Sequence, residues 1–109
     1  MEYKIVVTKT AKIQLTSILD YLRFQLNNPD AAESFLNDLD NSFNFLITNA
    51  HTLCFCRDER LKEKGYRKIN LKNHKYLLIY ELRESVVYIL GVFHSFEDFP
   101  RKLICDFFE

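Results

Sequence analysis

Between Gly65 and Tyr80 the chain reads GYRKINLKNHKYLLIY, which sets Arg67, Lys68, Lys72, His74 and Lys75 among residues of strand character. Guanidinium and ammonium groups held on a rigid edge bind anions, phosphate above all, through charge-assisted hydrogen bonds. The surplus extends upstream. Residues 57 to 75 carry eight Lys or Arg against three Asp or Glu, while residues 1 to 50 carry four against six. The whole chain has no formal net charge, yet salt confines each field to about 8–10 Å, so a local excess still attracts a polyanion. A solvated loop and strand edge would have the same composition, so charge by itself assigns no function.

A second constellation is His51, Cys54 and Cys56, spaced H-x-x-C-x-C. It offers part of a zinc ligand set, but no second pair at finger spacing accompanies it, so no metal and no cofactor are expected. With Cys105 the cysteines number three. Cys54 and Cys56 are too close in sequence for an unstrained bridge, and reduced thiols follow. The longest apolar run, Val86 to Phe93, is far short of the roughly 20 residues of a membrane-spanning helix. The opening MEYKIVV lacks the apolar block of a signal peptide. A cytoplasmic protein without membrane association is expected. Its 109 residues suit one domain, 1–109, around one core.

The elements that must carry these residues follow from periodicity. Tyr3 to Thr8 is rich in β-branched residues and reads as a strand, after which Thr8 or Thr10 can cap a helix. Ala11, Leu15, Ile18, Leu19, Leu22 and Leu26 form one helical stripe. Asn27 and Asn28 break it, Asn28 caps the next helix, and Pro29 takes its first turn. Ala32, Phe35, Leu36, Leu39, Phe43, Leu46 and Ile47 form a second stripe, so the two helices pack as a hairpin that needs a sheet beneath it.

Residues 51 to 64 read as an irregular, charged connection. Tyr66 to Leu71 is a strand with Arg67, Ile69 and Leu71 on one face and Tyr66, Lys68 and Asn70 on the other. Lys75 to Leu82 and Val86 to Phe93 form a hairpin around Arg83, Glu84 and Ser85, and being apolar on both faces they are central strands. The fold class is α+β: a two-helix hairpin on a twisted antiparallel sheet, order β-α-α-β-β-β. A short C-terminal helix or tail, with Leu103, Ile104, Phe107 and Phe108, is expected either to cap the core or to await a partner.

In this order, AKIQLTSILDYLRFQLNNPDAAESFLNDLDNSF, DERLKEKGYRKINLKNHKYLLIYEL and VVYILGVFHSFEDFPRKL resemble toxins of the RelE/ParE superfamily of bacterial type II toxin–antitoxin systems. The resemblance spans Tyr3 to about Leu103. It rests on a Tyr-Arg pair opening the second strand, a basic turn, an "xxxIY" third strand and a polar residue ending the fourth. It implies a cognate antitoxin protein as partner. It also implies one of two activities: metal-free cleavage of mRNA in the ribosomal A site, which leads here and would make the chain an endoribonuclease inhibiting translation, or inhibition of DNA gyrase. A degenerate toxin that binds only its antitoxin is the third possibility.

Metal-free RNA cleavage needs cations on the phosphate and a group that moves protons. Arg67 offers a planar fork for the phosphate, as an alternative to closing the strand end. Lys75 stands where relatives carry an arginine and keeps the charge without the fork. His94 lies where similar nucleases place a terminal acid or base. Arg57, Arg60, Lys62, Lys64, Lys68 and Lys72 would form an RNA-binding rim, while Tyr66 and Tyr76 could stack on bases or serve the sheet. After His94 the chain departs from the family pattern: Ser95, Phe96, Glu97, Asp98 and Phe99 stand where relatives carry arginines and a tyrosine.

Overall fold

The computed structural model describes residues 2–95; the sequence-predicted tail, with Leu103, Ile104, Phe107 and Phe108, and the acidic Glu97 and Asp98 lie outside them. Strand β1 (Lys4–Val7) leads into α1 (Lys9–Asp20), a π-helical turn (Tyr21–Gln25) and α2 (Pro29–Asn49). A 3-10 turn (Ala50–Thr52) and a short α3 (Glu59–Glu63) follow, then β2 (Tyr66–Asn70), β3 (Tyr76–Arg83) and β4 (Val86–His94). Both expected caps are present. Thr8 accepts the Ala11 N–H and Asn28 accepts the Ala31 N–H, each satisfying a donor that the first helical turn leaves without a partner.

The sheet runs β1-β4-β3-β2, so the two apolar strands are central, as their two-sided burial requires. The β2–β3 and β3–β4 pairs are antiparallel, whereas β1 runs parallel to β4. The sheet is therefore mixed, where the sequence pattern suggested antiparallel pairing throughout. The direction of β1 is set by contacts distant in sequence: Lys4 donates its N–H to the Ser85 carbonyl in the β3–β4 turn at 2.9 Å, and the Thr8 hydroxyl donates to the Ile89 carbonyl at 2.7 Å.

The first helical stripe also departs from expectation at its end. Leu26 is half-exposed, because the Leu26 N–H bonds back to the Tyr21 carbonyl, a five-residue step that widens the turn and rotates Leu26 off the buried face. Asn27 then takes a left-handed φ of 48°, a conformation Asn tolerates better than most residues, and the chain reverses into α2. No helix among the described residues is long and apolar enough to cross a membrane.

Two apolar clusters hold the fold. On the helix side, Ala11, Phe35, Leu39 and Leu46 meet Leu78, Tyr80, Val87, Ile89 and Val92. On the opposite face, Leu77, Ile79, Leu90 and Phe93 are covered by Cys56 and by Leu61 of α3. The connection expected to be irregular thus supplies a lid for the second face, and burying Leu61 contributes on the order of 1.5–3 kcal/mol.

Between Ile79↔Gly91 and Tyr80↔Ile89 the β3–β4 ladder shifts register, leaving Leu90 as a bulged residue. The Gln14 side chain from α1 accepts the Val92 N–H beside it at 2.8 Å. At Gly91 a Cβ would lie 2.5 Å from the Phe93 ring and 3.2 Å from the Gln14 oxygen, so a methyl there must push aside the buried Phe93 ring and crowd the Gln14 side chain that holds Val92. Gly91→Ala is expected to lower unfolding stability by about 1–3 kcal/mol, measured as a reduced urea midpoint with the slope unchanged.

Candidate functional site

The basic turn between β2 and β3 is organised from below by one carboxylate. Asp38 lies in the middle of α2 and is 1% exposed. It accepts the Lys72 N–H at 3.2 Å, the Asn73 N–H at 2.9 Å and the His74 Nδ1 at 2.8 Å. Burial alone would raise its carboxyl pKa, but the His74 contact and the two backbone donors outweigh burial and hold it below the usual carboxylate range. With the backbone donors drawn inward, the Lys72 and Lys75 side chains are left exposed at the surface. The ring of His74 meets Phe35 edge-on at 5.8 Å, Phe35 meets Tyr76 at 5.3 Å, and Tyr76 meets His94 at 5.2 Å. An aromatic chain thus runs from the turn to the end of β4, on the helix side of the sheet.

Arg67 occupies the other end of β2. It pairs with Tyr80 across the ladder, which sets its side chain on the helix face with the buried Tyr80. Its guanidinium donates to the Leu53 carbonyl and lies 4.1 Å from the centre of the Phe55 ring. The fork is therefore partly used inside the molecule, tying the 53–55 segment to the sheet. His94 pairs with Tyr76, four β3 positions from Tyr80. At about 3.3 Å per residue along the strand and about 4.8 Å per strand spacing, the Cα atoms of Arg67 and His94 are roughly 16 Å apart.

The backbones of Lys75 and His94 run close, since Ser95 donates its N–H to the Lys75 carbonyl at 2.8 Å, while the His94 ring lies on the same sheet face as Tyr76. Arg67 lies across the sheet from both.

The residues of the expected rim divide between two hollows beside β2 and the short α3. Arg57 and Lys62 border a shallow hollow with Cys54, Phe55 and Cys56; Lys68 and Lys72 line a groove between β2 and α2. Arg60 is committed in part to Asp58 at 3.0 Å, the residue that caps α3. Lys64 closes α3 just before Gly65, whose φ of 79° makes the turn into β2.

The cysteine motif disperses. The hydroxyl of Tyr3 hydrogen-bonds His51 at 2.9 Å, Cys54 is exposed, and burial pushes the Cys56 thiol up to about 11, so it stays protonated at neutral pH. Tyr66 and Tyr76 are half-buried in the two clusters. Burial raises the Tyr66 hydroxyl's pKa.

A family model described as "ParE toxin of type II toxin-antitoxin system, parDE" matches residues 5–99. The chain belongs to the ParE toxin family. Among solved structures it is similar to a chain of the "Chromosomal ParDE TA system from P. aeruginosa", with a TM-score of 0.69 at 18% identity, covering 85% of this chain and 96% of that one. No curated protein matches.

Within this ParE-family fold, sequence reasoning missed Asp38 and Phe55. Asp38 had a signal: a carboxylate in the α2 stripe, one turn after Phe35 and beside Leu39, where an apolar residue would be expected. Phe55 had none, because its stacking on Arg67 depends on how a loop crosses a strand edge.

Asp38→Asn removes the charge that three donors share and is expected to cost about 2–4 kcal/mol at neutral pH, read from urea unfolding. A carboxyl depressed in the folded state stabilises above the unfolded pKa of about 3.9, and that contribution is lost as pH falls through the folded value. The gap between wild type and Asp38→Asn should therefore close on acidification below about pH 4.

Proposed function

We propose that this chain is the toxin of a type II pair, that it acts by blocking DNA gyrase, and that a protein antitoxin holds it inactive. The match to the ParE family carries this reading, since the ParE-like branch of the superfamily is the one that blocks gyrase. The geometry supports it in a second way. Ribosome-dependent mRNA cleavage, the activity that leads from sequence resemblance, needs a cation on the scissile phosphate and a proton-transfer group within hydrogen-bond reach of the same atoms. Arg67 and His94 lie roughly 16 Å apart across the sheet by strand spacing, and the Arg67 fork already serves Leu53 and Phe55.

In this reading Arg57, Lys62, Lys64, Lys68 and Lys72 serve as an anion-receiving border for the target, attracting acidic protein surface or DNA phosphate by charge and not by sequence. Lys75 and His94, whose backbones run close at the turn and the end of β4, remain the residues to test for any nuclease activity.

The deciding experiment titrates the purified toxin into two reconstituted reactions. Supercoiling of relaxed plasmid by gyrase is expected to stop near stoichiometric toxin, with message in a translating ribosome system left uncut. Cleaved message beside unimpaired supercoiling would contradict the proposal and return mRNA cleavage as the activity; Lys75→Ala and His94→Ala would then be expected to lower cleavage at least tenfold. In the gyrase reading both variants keep full inhibition, while Lys68→Glu with Lys72→Glu weakens it.

A further inference from the structure

Four of the exposed large apolar side chains stand on the helix hairpin: Ile13 at 58%, Tyr21 at 49%, Phe24 at 76% and Leu26 at 52%. Ile13, Ser17, Tyr21 and Phe24 recur at steps of four, four and three, which places them on one face of α1 and its widened turn. At the tip, Ser17, Asp20, Tyr21, Phe24 and Gln25 line a hollow of about 390 Å³. No described residue from outside the hairpin borders it. The end of the last strand is delivered to the same place. Thr8 bonds the Ile89 carbonyl, and Gln14, further along α1, accepts the Val92 N–H, so α1 and β4 run side by side in one direction. At about 1.5 Å per helical residue and about 3.3 Å per strand residue, the turn at Tyr21–Gln25 stands roughly 4–10 Å beyond His94 along that direction. Residues 96–109 continue from there. At helical rise alone they span about 21 Å, and more when extended, so they reach the hollow. Within them Leu103, Ile104, Phe107 and Phe108 recur with the spacing of one helical stripe. The family match ends at residue 99, so this stripe lies outside the matched pattern.

We propose that residues 103–108 fold back onto the outer face of the helix hairpin and seat Phe107 and Phe108 at the hollow between Tyr21 and Phe24. Two apolar surfaces leave water at once when they cover each other, and a contiguous apolar patch on a folded domain marks a contact surface. Charge agrees with the pairing. Asp20, on the rim of the hollow, makes no ion pair among the described residues, and Arg101 and Lys102, just before the stripe, supply the opposite sign. A second copy of the chain carries the same stripe, but a short tether holds the chain's own segment at an effective concentration in roughly the millimolar range, which favours the intramolecular contact. With the segment in place, the hairpin tip presents no apolar patch that would draw toxin molecules together.

The test is NMR on the full-length toxin alone, with amide exchange read at residues 103–108 and contacts read between aromatic and methyl protons. Exchange there is expected to be at least tenfold slower than in an unstructured peptide of the same sequence, with contacts from the Tyr21 and Phe24 rings to Leu103, Ile104, Phe107 or Phe108. Phe24→Glu, an exposed substitution whose folding is checked by circular dichroism, should abolish that protection, as should Phe107→Glu with Phe108→Glu. Phe45→Glu, on the β2 side of α2, should leave it unchanged. Exchange at residues 103–108 as fast as in the peptide overturns the proposal. So does protection that survives Phe24→Glu, since the segment then docks elsewhere. Contacts between differently labelled molecules, or protection that fades on dilution, would assign the tip to a second copy and overturn it too. Neither gyrase nor the antitoxin enters the measurement, so each of these outcomes leaves the proposed activity as it stands.

Discussion

A single carboxylate ties the two halves of this molecule together. Asp38 projects from the helix hairpin into a turn more than thirty residues later, and its two oxygens take two backbone N–H groups and one imidazole nitrogen. An ionised carboxylate this deeply buried would be strongly destabilising alone, and partners with good geometry turn the same burial into a constraint. That constraint fixes where β2 ends and β3 begins, and therefore the register in which β3 enters the centre of the sheet. Phe35, one turn earlier on α2, packs against His74 and Tyr76, so apolar packing and hydrogen bonding specify the same position for the turn. The Tyr80 hydroxyl makes a similar long-range tie, donating to the Ala50 carbonyl at 2.7 Å; burial pushes its pKa up to about 12, so it remains a donor at any physiological pH.

The surface chemistry follows from this interior. The turn spends its backbone donors inward, and its lysines project outward. Residues 53–56 cross the β2 edge because Arg67 grips Leu53 and Phe55, and the same crossing carries Cys56 and α3 over the second face of the sheet. The cations between Arg57 and Lys72 consequently divide between the hollow by residues 54–56, with Arg57 and Lys62, and the groove against α2, with Lys68 and Lys72. Arg67 is turned towards the helix side and used as a clamp. What distinguishes it from Lys68, its neighbour in sequence, is the two-residue alternation of a strand.

Much of the architecture was legible because its causes are local. Apolar stripes with a period near 3.6, the Thr8 and Asn28 caps, and two strands apolar on both faces each depend on residues a few positions apart. Family membership was legible too, since it lies in the order of such features. The parallel direction of β1 was not, because a short strand reads alike whichever way its neighbour runs. The widened turn at Tyr21–Gln25 was hidden for a related reason: a π step leaves the apolar spacing nearly intact and shows itself only in the exposure of Leu26. The covering of the second sheet face depends on Leu61 and Cys56, single apolar residues in a charged stretch whose pattern has no period to follow. At the site, residue types named candidates but carried no geometry. Arg67, Lys75 and His94 were grouped by type and order, and only the register shows how far the sheet separates Arg67 from His94.

The most direct test of this account follows the backbone amides of Lys72 and Asn73 by NMR as pH is lowered. If the Asp38 carboxylate organises the basic turn, both resonances move together, with a midpoint below the roughly 3.9 of a free aspartate, because the proton that ends the titration must displace the hydrogen bonds. Amides that stay still through that range, or that titrate at or above the ordinary value, would show that the turn is held by something other than Asp38.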